Sequence, residues 1–273
     1  MPPVQTTIYT SSHDSLKDSI LKSWKYRSLI WVFAKRDLRV KYAQTYLGIG
    51  WSIFKPLLAL GIYVVFGHLL NWSTNDIPYA VYVLSGLIGW NLFTYIIVNG
   101  LSATYESSEL IKKIYFPKSI LPLSKTLVGL FETLVSMLLL IPLMVYYDIQ
   151  LSIKIVFLPL ILLFNIAFGL AVTFIVASIS ITKRDLLQVL PYLLNMAIWL
   201  TPVFLSSTIF PERFQFIFEF NPIANVIEMW RWVFFDEVEF KFVWAINIFI
   251  CLVLMLLGFY LYSYRENKFA DSI

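Results

Sequence analysis

The sequence has few charges, one cysteine and no motif for nucleotide or metal chemistry. Charged residues make up 14% of the 273 residues, and Cys251 lies within an apolar run, so a disulfide framework is excluded. No G-x-x-x-x-G-K-[ST] occurs, and none of the ten glycines precedes a lysine, so the chain has no phosphate loop. Any ATP hydrolysis is therefore expected in a separate subunit.

Metal-dependent catalysis is equally unsupported by the sequence. His13 and His68 lie far apart, and neither H-E-x-x-H nor paired cysteines occur. Asp76 lacks the second acidic residue that a metal-assisted sugar transferase would need beside it. We therefore expect no enzyme activity, metal or bound cofactor in this chain.

Apolar residues dominate what is present. Hydrophobic residues make up 59% of the chain and the mean hydropathy is +0.75, well above soluble domains. A membrane helix needs about 20 mostly apolar residues. Six runs meet this requirement and predict an all-α integral membrane protein: 47–70, 79–104, 119–146, 153–178, 186–206 and 242–263.

Basic residues predict the orientation of these spans. Fifteen lysines and arginines flank one side, and four, Lys154, Arg213, Arg231 and Lys241, lie on the other. Cytoplasmic flanks carry the basic excess, so both termini, including 264–273, are expected in the cytoplasm of a multi-pass protein of the inner membrane. The polar residues 1–12 predict a flexible tail without a cleavable signal peptide.

Residues 13–46 predict an amphipathic helical region at the cytoplasmic interface. Leu16, Ile20 and Trp24 are spaced by four, and basic residues interleave with the apolar residues that follow. Two interpretations remain open: the helix lies on anionic lipid, or it also provides a docking surface for a cytoplasmic partner.

A short amphipathic helix is predicted between the second and third spans. Ser107 or Ser108 would cap it, and Leu110, Ile111, Ile114 and Tyr115 form an apolar stripe. Such a helix has no evident partner in its own chain. We expect it to fit a groove on another protein, and lipid headgroups are the alternative.

Two further features bear on transport. Lys55, Lys125 and Glu132 lie within predicted spans, and Glu132 is interpreted as a packing carboxyl in preference to a transport residue. Residues 207–241 are too polar to span, and Asn221 with Pro222 starts a helix there. These residues predict re-entrant gate helices on the outward side, or else interfacial belt helices.

Four segments in register resemble one known family. RDLRVKYAQTYLGIGWSIFKPLL, YFPKSILPLSK, ITKRDLLQVLPYLLNMAIWLTPVF and FNPIANVIEMWRWVF look like the membrane subunit of type-2 ABC exporters for O-antigen, capsule or wall teichoic acid. The resemblance runs from about residue 29 to the C-terminus. It implies a homodimer with two ATP-binding subunits, which bind ATP and Mg.

The resemblance also implies roles for particular residues. The residues implied to couple this chain to the ATP-binding subunit are Arg36, Glu106, Glu109, Leu110, Ile111, Ile114, Tyr115, Lys183, Arg184 and Asp185. The residues implied to form the outward gate are Phe214, Phe218, Asn221, Pro222, Ile227, Trp230 and Arg231.

The expected path lies between the first and fifth spans of two copies. Aromatic rings hold sugar rings through their apolar C–H faces, which lets a polymer slide. The candidate channel residues are Trp51, Phe54, Tyr63, Phe66, Tyr192, Trp199 and Phe204, although rings of lipid-facing belts fit the same pattern. Export of a lipid-linked polysaccharide, with O-antigen preferred, is the predicted function. The alternatives are an exporter of teichoic acid or capsule, an exporter of a drug or small lipid, and a polysaccharide-modifying enzyme.

Overall fold

The computed structural model describes residues 16–70, 77–180, 185–206 and 211–272, and these residues form helices and turns without a strand. The predicted coupling residues Lys183 and Arg184, and the side chain of Phe214, lie outside the described residues. The α-helices are α1 (Leu16–Lys25), α2 (Arg27–Tyr42), α3 (Trp51–Leu69), α4 (Tyr79–Glu106), α5 (Ser108–Lys113), α6 (Ile120–Tyr146), α7 (Leu158–Ser180), α8 (Asp185–Ala197), α9 (Glu212–Glu219), α10 (Pro222–Phe234) and α11 (Val243–Ser272).

Five helical segments of the described chain are long and apolar enough to cross a membrane. They are Gly48–Leu69, Tyr79–Glu106, Ile120–Tyr146, Ile153–Ser180 and Val243–Glu266, and each coincides with a predicted span. The remaining apolar helix, Asp185–Leu200, reaches only about 24 Å at ~1.5 Å per residue, short of the ~30 Å hydrocarbon core. The fifth predicted span along the chain, 186–206, therefore stays a prediction.

Helix α4 forms the centre of the fold. Of its most apolar window, 78% is buried, whereas only 11% of the corresponding window of the first span is buried. Close packing depends on small residues, because a Cβ at Gly89 would lie 2.6 Å from Trp230 Cδ1 of α10. The core thus forms around α4, and α3 packs at its periphery.

The N-terminal region consists of two helices separated at Tyr26. Helix α1 turns its small residues Ser19 and Ser23 to the protein, and the Ser23 and Ser119 hydroxyls are 2.8 Å apart. Ile20 and Trp24 remain 48% and 67% exposed. Of the apolar stripe predicted from sequence, Leu16 therefore packs against the core, whereas Ile20 and Trp24 face away from the protein.

A tight turn joins α2 to the first span. Gln44 and Gly48 have φ values of 56° and 50°, in the left-handed region that glycine adopts without strain. The turn brings the C-terminal end of α2 beside the start of α3. Tyr42 and Ser52 consequently come within hydrogen-bonding distance, at 2.5 Å.

Helix α10 belongs to the core. Asn221 caps it as predicted, accepting from the Ile223 backbone N–H at 3.2 Å, and Pro222 occupies the first turn. Ile227 and Trp230 are fully buried. Protein therefore covers the α10 backbone, while the gate role of α9 and α10 stays a prediction.

Candidate functional site

A charged network joins the interface helix α2 to the ends of α4 and α6. Lys125 of α6 lies 3.0 Å from the Asp37 carboxylate of α2 and 3.1 Å from the Glu106 carboxylate at the end of α4. Arg36 lies 2.8 Å from the same Asp37 side chain and stacks on Phe33, 5.2 Å from the ring centroid. The predicted coupling residues Arg36 and Glu106 thus belong to one network.

Glu132 anchors the other end of α2. It forms an ion pair with Lys41 and accepts a hydrogen bond from the Tyr42 hydroxyl at 2.8 Å. Since Tyr42 has one proton to donate, Ser52 of α3 donates in turn to the Tyr42 oxygen. Burial raises the pKa of Tyr42 to about 12, so this proton is retained at neutral pH. Glu132 therefore packs against the interface helix, which favours the packing interpretation.

A cavity of about 610 Å³ lies between α2, α3, α4, α6 and α8. Its charged lining residues are Lys41, Lys55 and Glu132. Aromatic and amide side chains supply much of the remaining wall: Trp51, Tyr63, Trp90, Tyr95, Asn91, Asn99 and Asn195. The cavity combines rings that can stack with donors that can bind anions.

The structure brings only two of the predicted channel residues into this cavity, Trp51 and Tyr63. Phe54 packs edge-on against Trp51 at 5.7 Å between ring centroids, and Phe204 is buried and stacked on Tyr63 at 4.0 Å. The other three lie on the exposed surface: Phe66, Tyr192 and Trp199. A path between two copies of the chain is a separate prediction.

Helix α5 corrects one expectation, because it does have a partner within its own chain. Leu110 and Ile111 pack against a small cluster of Ala103, Phe116, Ile120 and Leu121, which also receives Tyr26, Leu29, Ile30 and Phe33. Ile114 and Tyr115 are 57% and 53% exposed. The predicted stripe is therefore divided into an inward half and an outward half.

Other predicted coupling residues near α5 and α8 are exposed. Glu109 lies 3.9 Å from Lys112, and its side chain is 78% exposed. Asp185 is the exposed first residue of α8. Ser107 occupies the N-cap position of α5, but its side chain makes no capping hydrogen bond.

The predicted gate residues lie largely inside the chain. Phe218 is buried, and Arg231 is 3% exposed. The Arg231 guanidinium lies 3.5 Å from the Tyr82 ring centroid and donates to the backbone oxygens of Tyr82 and Val203, at 3.3 Å and 3.0 Å. Asn221 also donates to the Leu200 oxygen at 3.1 Å. These bonds connect α10 to α4 and to the segment that follows α8.

Sequence reasoning missed the polar side of the cavity. Asn91, Tyr95 and Asn99 of α4 all line it and are spaced by four, which places them on one helical face. Polar residues repeating at this spacing within a span are the signal that could have found them. No such pattern in the sequence indicates that Lys41 and Tyr42 line the cavity, because their partner Glu132 lies 90 residues from Tyr42 along the chain.

Comparisons with known proteins find similar transport proteins. The ABC-2 type transporter family matches residues 28–235. The chain is 28% identical to the O-antigen export system permease protein RfbA of Klebsiella pneumoniae, with 90% of this chain and 95% of that protein covered. The RfbA of Myxococcus xanthus is 27% identical, with 92% and 97% covered. The polysialic acid transport protein KpsM of Escherichia coli is 26% identical, with 72% and 77% covered.

Proposed function

This chain belongs to the ABC-2 type transporter family, and from that premise we propose that it is the transmembrane subunit of an ATP-driven exporter of lipid-linked polysaccharide. The proposed cargo is O-antigen. It would be exported across the cytoplasmic membrane, with both termini of the subunit in the cytoplasm. The observation that carries this proposal is the match with O-antigen export permeases over 90% or more of the chain.

A capsular polymer is the second candidate cargo. It is favoured by the similarity to the polysialic acid transport protein, which covers a smaller part of the chain, 72%. Both candidates share a long sugar chain as the transported group. Aromatic side chains such as Trp51 and Tyr63, which line the cavity, suit either polymer because a ring face binds a sugar ring without a fixed hydrogen-bond pattern.

Force for transport would come from a separate ATP-binding subunit, because the sequence has no phosphate loop. The exposed Ile114 and Tyr115 would contact that subunit. A movement of α5 would displace the small cluster that packs on Leu110 and Ile111, and α2 packs on the same cluster. It would also reach α6 through the ion pair between Glu106 and Lys125. The coupling surface and the interface helix would then move together.

Two copies of the chain would form the path. Helix α3 is mostly exposed, and α8 has no buried residue, so both offer apolar surface to a second copy. Twelve predicted helices can surround a hydrated sugar chain, whereas six cannot. The lipid anchor would enter sideways, and the glycan would follow between the paired first and fifth spans.

Deletion of the gene tests the proposal. We expect surface O-antigen to disappear and its lipid-linked form to accumulate in the cytoplasmic membrane, with recovery on complementation by the wild-type chain. Gel analysis of surface polysaccharide and mass spectrometry of extracted glycolipids measure the two pools. Accumulation of a capsular polymer would select the second candidate. Unchanged surface polysaccharide and glycolipid pools would contradict both.

A further inference from the structure

The cavity between α2, α3, α4, α6 and α8 has more positive than negative charge. Lys41, Lys55 and Glu132 line it, and the single carboxylate is already paired with Lys41. Within the described residues, Lys55 forms neither a hydrogen bond nor an ion pair. Lys55 is exposed and lies near the start of the first span, so its ammonium group is available to an anionic ligand.

Two amide side chains add hydrogen-bond donors to the same wall. Asn91 of α4 and Asn195 of α8 line the cavity, and neither side-chain amide bonds to another described residue. Each amide nitrogen carries two N–H donors. A phosphate group, which has several acceptor oxygens, would satisfy lysine and amide donors at once.

The surroundings of this wall fit a sugar phosphate attached to a lipid. Trp51 and Tyr63 line the same cavity and offer ring faces to a sugar. Leu58 lies one turn beyond Lys55 on α3 and is 50% exposed, so an apolar chain can remain in the bilayer beside the helix. The cavity thus presents phosphate donors and sugar-stacking rings, and the exposed Leu58 lies next to it on α3.

We propose that this cavity, within a single copy of the chain, binds the phosphate-bearing headgroup of a lipid-linked glycan, with Lys55 paired to the phosphate and Asn91 and Asn195 donating to it. This rests on the proposed export function and specifies where the cargo is recognised. Lys41 remains with Glu132, which keeps α2 in place while the headgroup is bound.

Photolabelling of the purified full-length chain, together with any ATP-binding subunit that copurifies, tests this site. Two photoreactive probes are used in nanodiscs, a polyprenyl diphosphate and phosphatidylglycerol, and mass spectrometry locates the labelled peptides. We expect the polyprenyl diphosphate to label peptides of α3 and α4. Lys55→Gln should lower this labelling about tenfold, the loss of one charge-assisted contact, and Lys55→Arg should retain most of it.

Lys25→Gln is the matched control, because it removes an exposed lysine that does not line the cavity. Asn91→Leu is a second variant, and its labelling should fall even if Lys55→Gln lowers expression. Labelling that is unchanged in both cavity variants would overturn the proposal. Equal labelling of the cavity by phosphatidylglycerol would also overturn it, since ordinary bilayer phospholipid would then occupy the site.

Competition with inorganic pyrophosphate separates the headgroup from a free anion. The lipid probe should persist when pyrophosphate is added at the same concentration as the probe, because the free anion lacks the lipid contacts, and complete displacement under this condition would assign the site to a soluble anion and overturn the proposal. Gene deletion keeps the two proposals distinguishable. If deletion abolishes surface polysaccharide while the cavity variants label normally, this inference alone fails. If deletion changes no polysaccharide, the export function fails.

Discussion

Arg231 is a buried cation held by backbone oxygens. Its guanidinium donates to Tyr82 of α4 and Val203 beyond α8, and it faces the Tyr82 ring. A Cβ at Gly86 would lie 2.7 Å from the same guanidinium, so the glycine provides the space that Arg231 occupies. One side chain therefore connects three parts of the fold.

We predict that Arg231→Met destabilises the protein by about 2–4 kcal/mol, because it removes donors from two buried backbone carbonyls. Thermal unfolding of the purified protein in one detergent measures the change. Arg39→Gln serves as the control, since Arg39 is exposed on α2. An unfolding temperature equal to that of the wild type would show that the Arg231 bonds contribute nothing.

Tyr42 gives a prediction about alkaline pH. Burial raises its pKa from 10.0 to about 12, and its hydroxyl donates to Glu132. A folded-state pKa above the unfolded value stabilises the fold fully below pH 10, and this contribution is lost as the pH rises through about 12. We therefore expect the stability advantage of the wild type over Tyr42→Phe to be constant below pH 10 and to shrink between pH 10 and 12.

Unfolding temperatures of the two proteins, measured side by side from pH 7 to 12, check this expectation. The comparison removes the effect of lysines that titrate in the same range, because both proteins carry them. A difference that does not change with pH would mean that Tyr42 ionises alike in the folded and unfolded chains.

At the scale of elements, α5 and the residues just after it carry two kinds of apolar side chain, one packed within the chain and one exposed for contact with another subunit. Ile111 packs against the small cluster, whereas Ile114 is 57% exposed. The sequence pattern placed both residues on one apolar stripe. Only the positions of α2 and α6 divide that stripe into an inward and an outward half.

This division predicts opposite results for two similar substitutions. Ile114→Asp should leave the unfolding free energy within about 0.5 kcal/mol of the wild type but abolish copurification of an ATP-binding subunit. Ile111→Asp should lower the unfolding free energy by roughly 2 kcal/mol or more, because it places a charge in an apolar cluster.

Pull-down from membranes and thermal unfolding measure these two properties on the same preparations. The paired variants distinguish a direct contact from a folding defect. Normal copurification and normal polysaccharide export in Ile114→Asp would contradict the coupling role of this surface.

In helix α1 too, the sequence pattern predicts the helix but not which of its sides faces the protein. Leu16, Ile20 and Trp24 predict an amphipathic helix, and α1 forms there. The protein-facing side nevertheless carries Ser19 and Ser23, because the small serine side chains allow close approach to Ser119. Exposed Ile20 and Trp24 beside Lys25 and Arg27 are typical of a helix at the membrane interface.

At the scale of the whole molecule, the chain divides into a well-packed centre and a sparsely packed edge. Helix α4 is surrounded by α6, α7 and α10, whereas α3 and α8 expose apolar side chains such as Leu57 and Leu193. In a membrane, lipid or another protein can cover such surface. The proposed assembly with a second copy through α3 and α8 would cover this apolar surface.

The chain purified alone should hydrolyse no ATP and move no cargo, because it lacks a phosphate loop. Reconstitution into vesicles with the proposed ATP-binding subunit should confer both activities. Phosphate release and protection of glycolipid from external enzymes measure them. ATP hydrolysis by the isolated chain would contradict the assignment of the motor to another subunit.

The sequence by itself determined the helical membrane class and the family, and five of its six predicted spans match helices long and apolar enough to cross a membrane. Long apolar runs and motifs in register are properties of consecutive residues. It also determined the cap of α10, since Asn221 and Pro222 are neighbours. Tertiary structure alone decided which residues meet across the chain. Lys41 and Tyr42 reach Glu132, Arg231 reaches Tyr82, and the inward half of the α5 stripe finds the cluster below α2. These contacts depend on how helices pack, which helical periodicity does not specify.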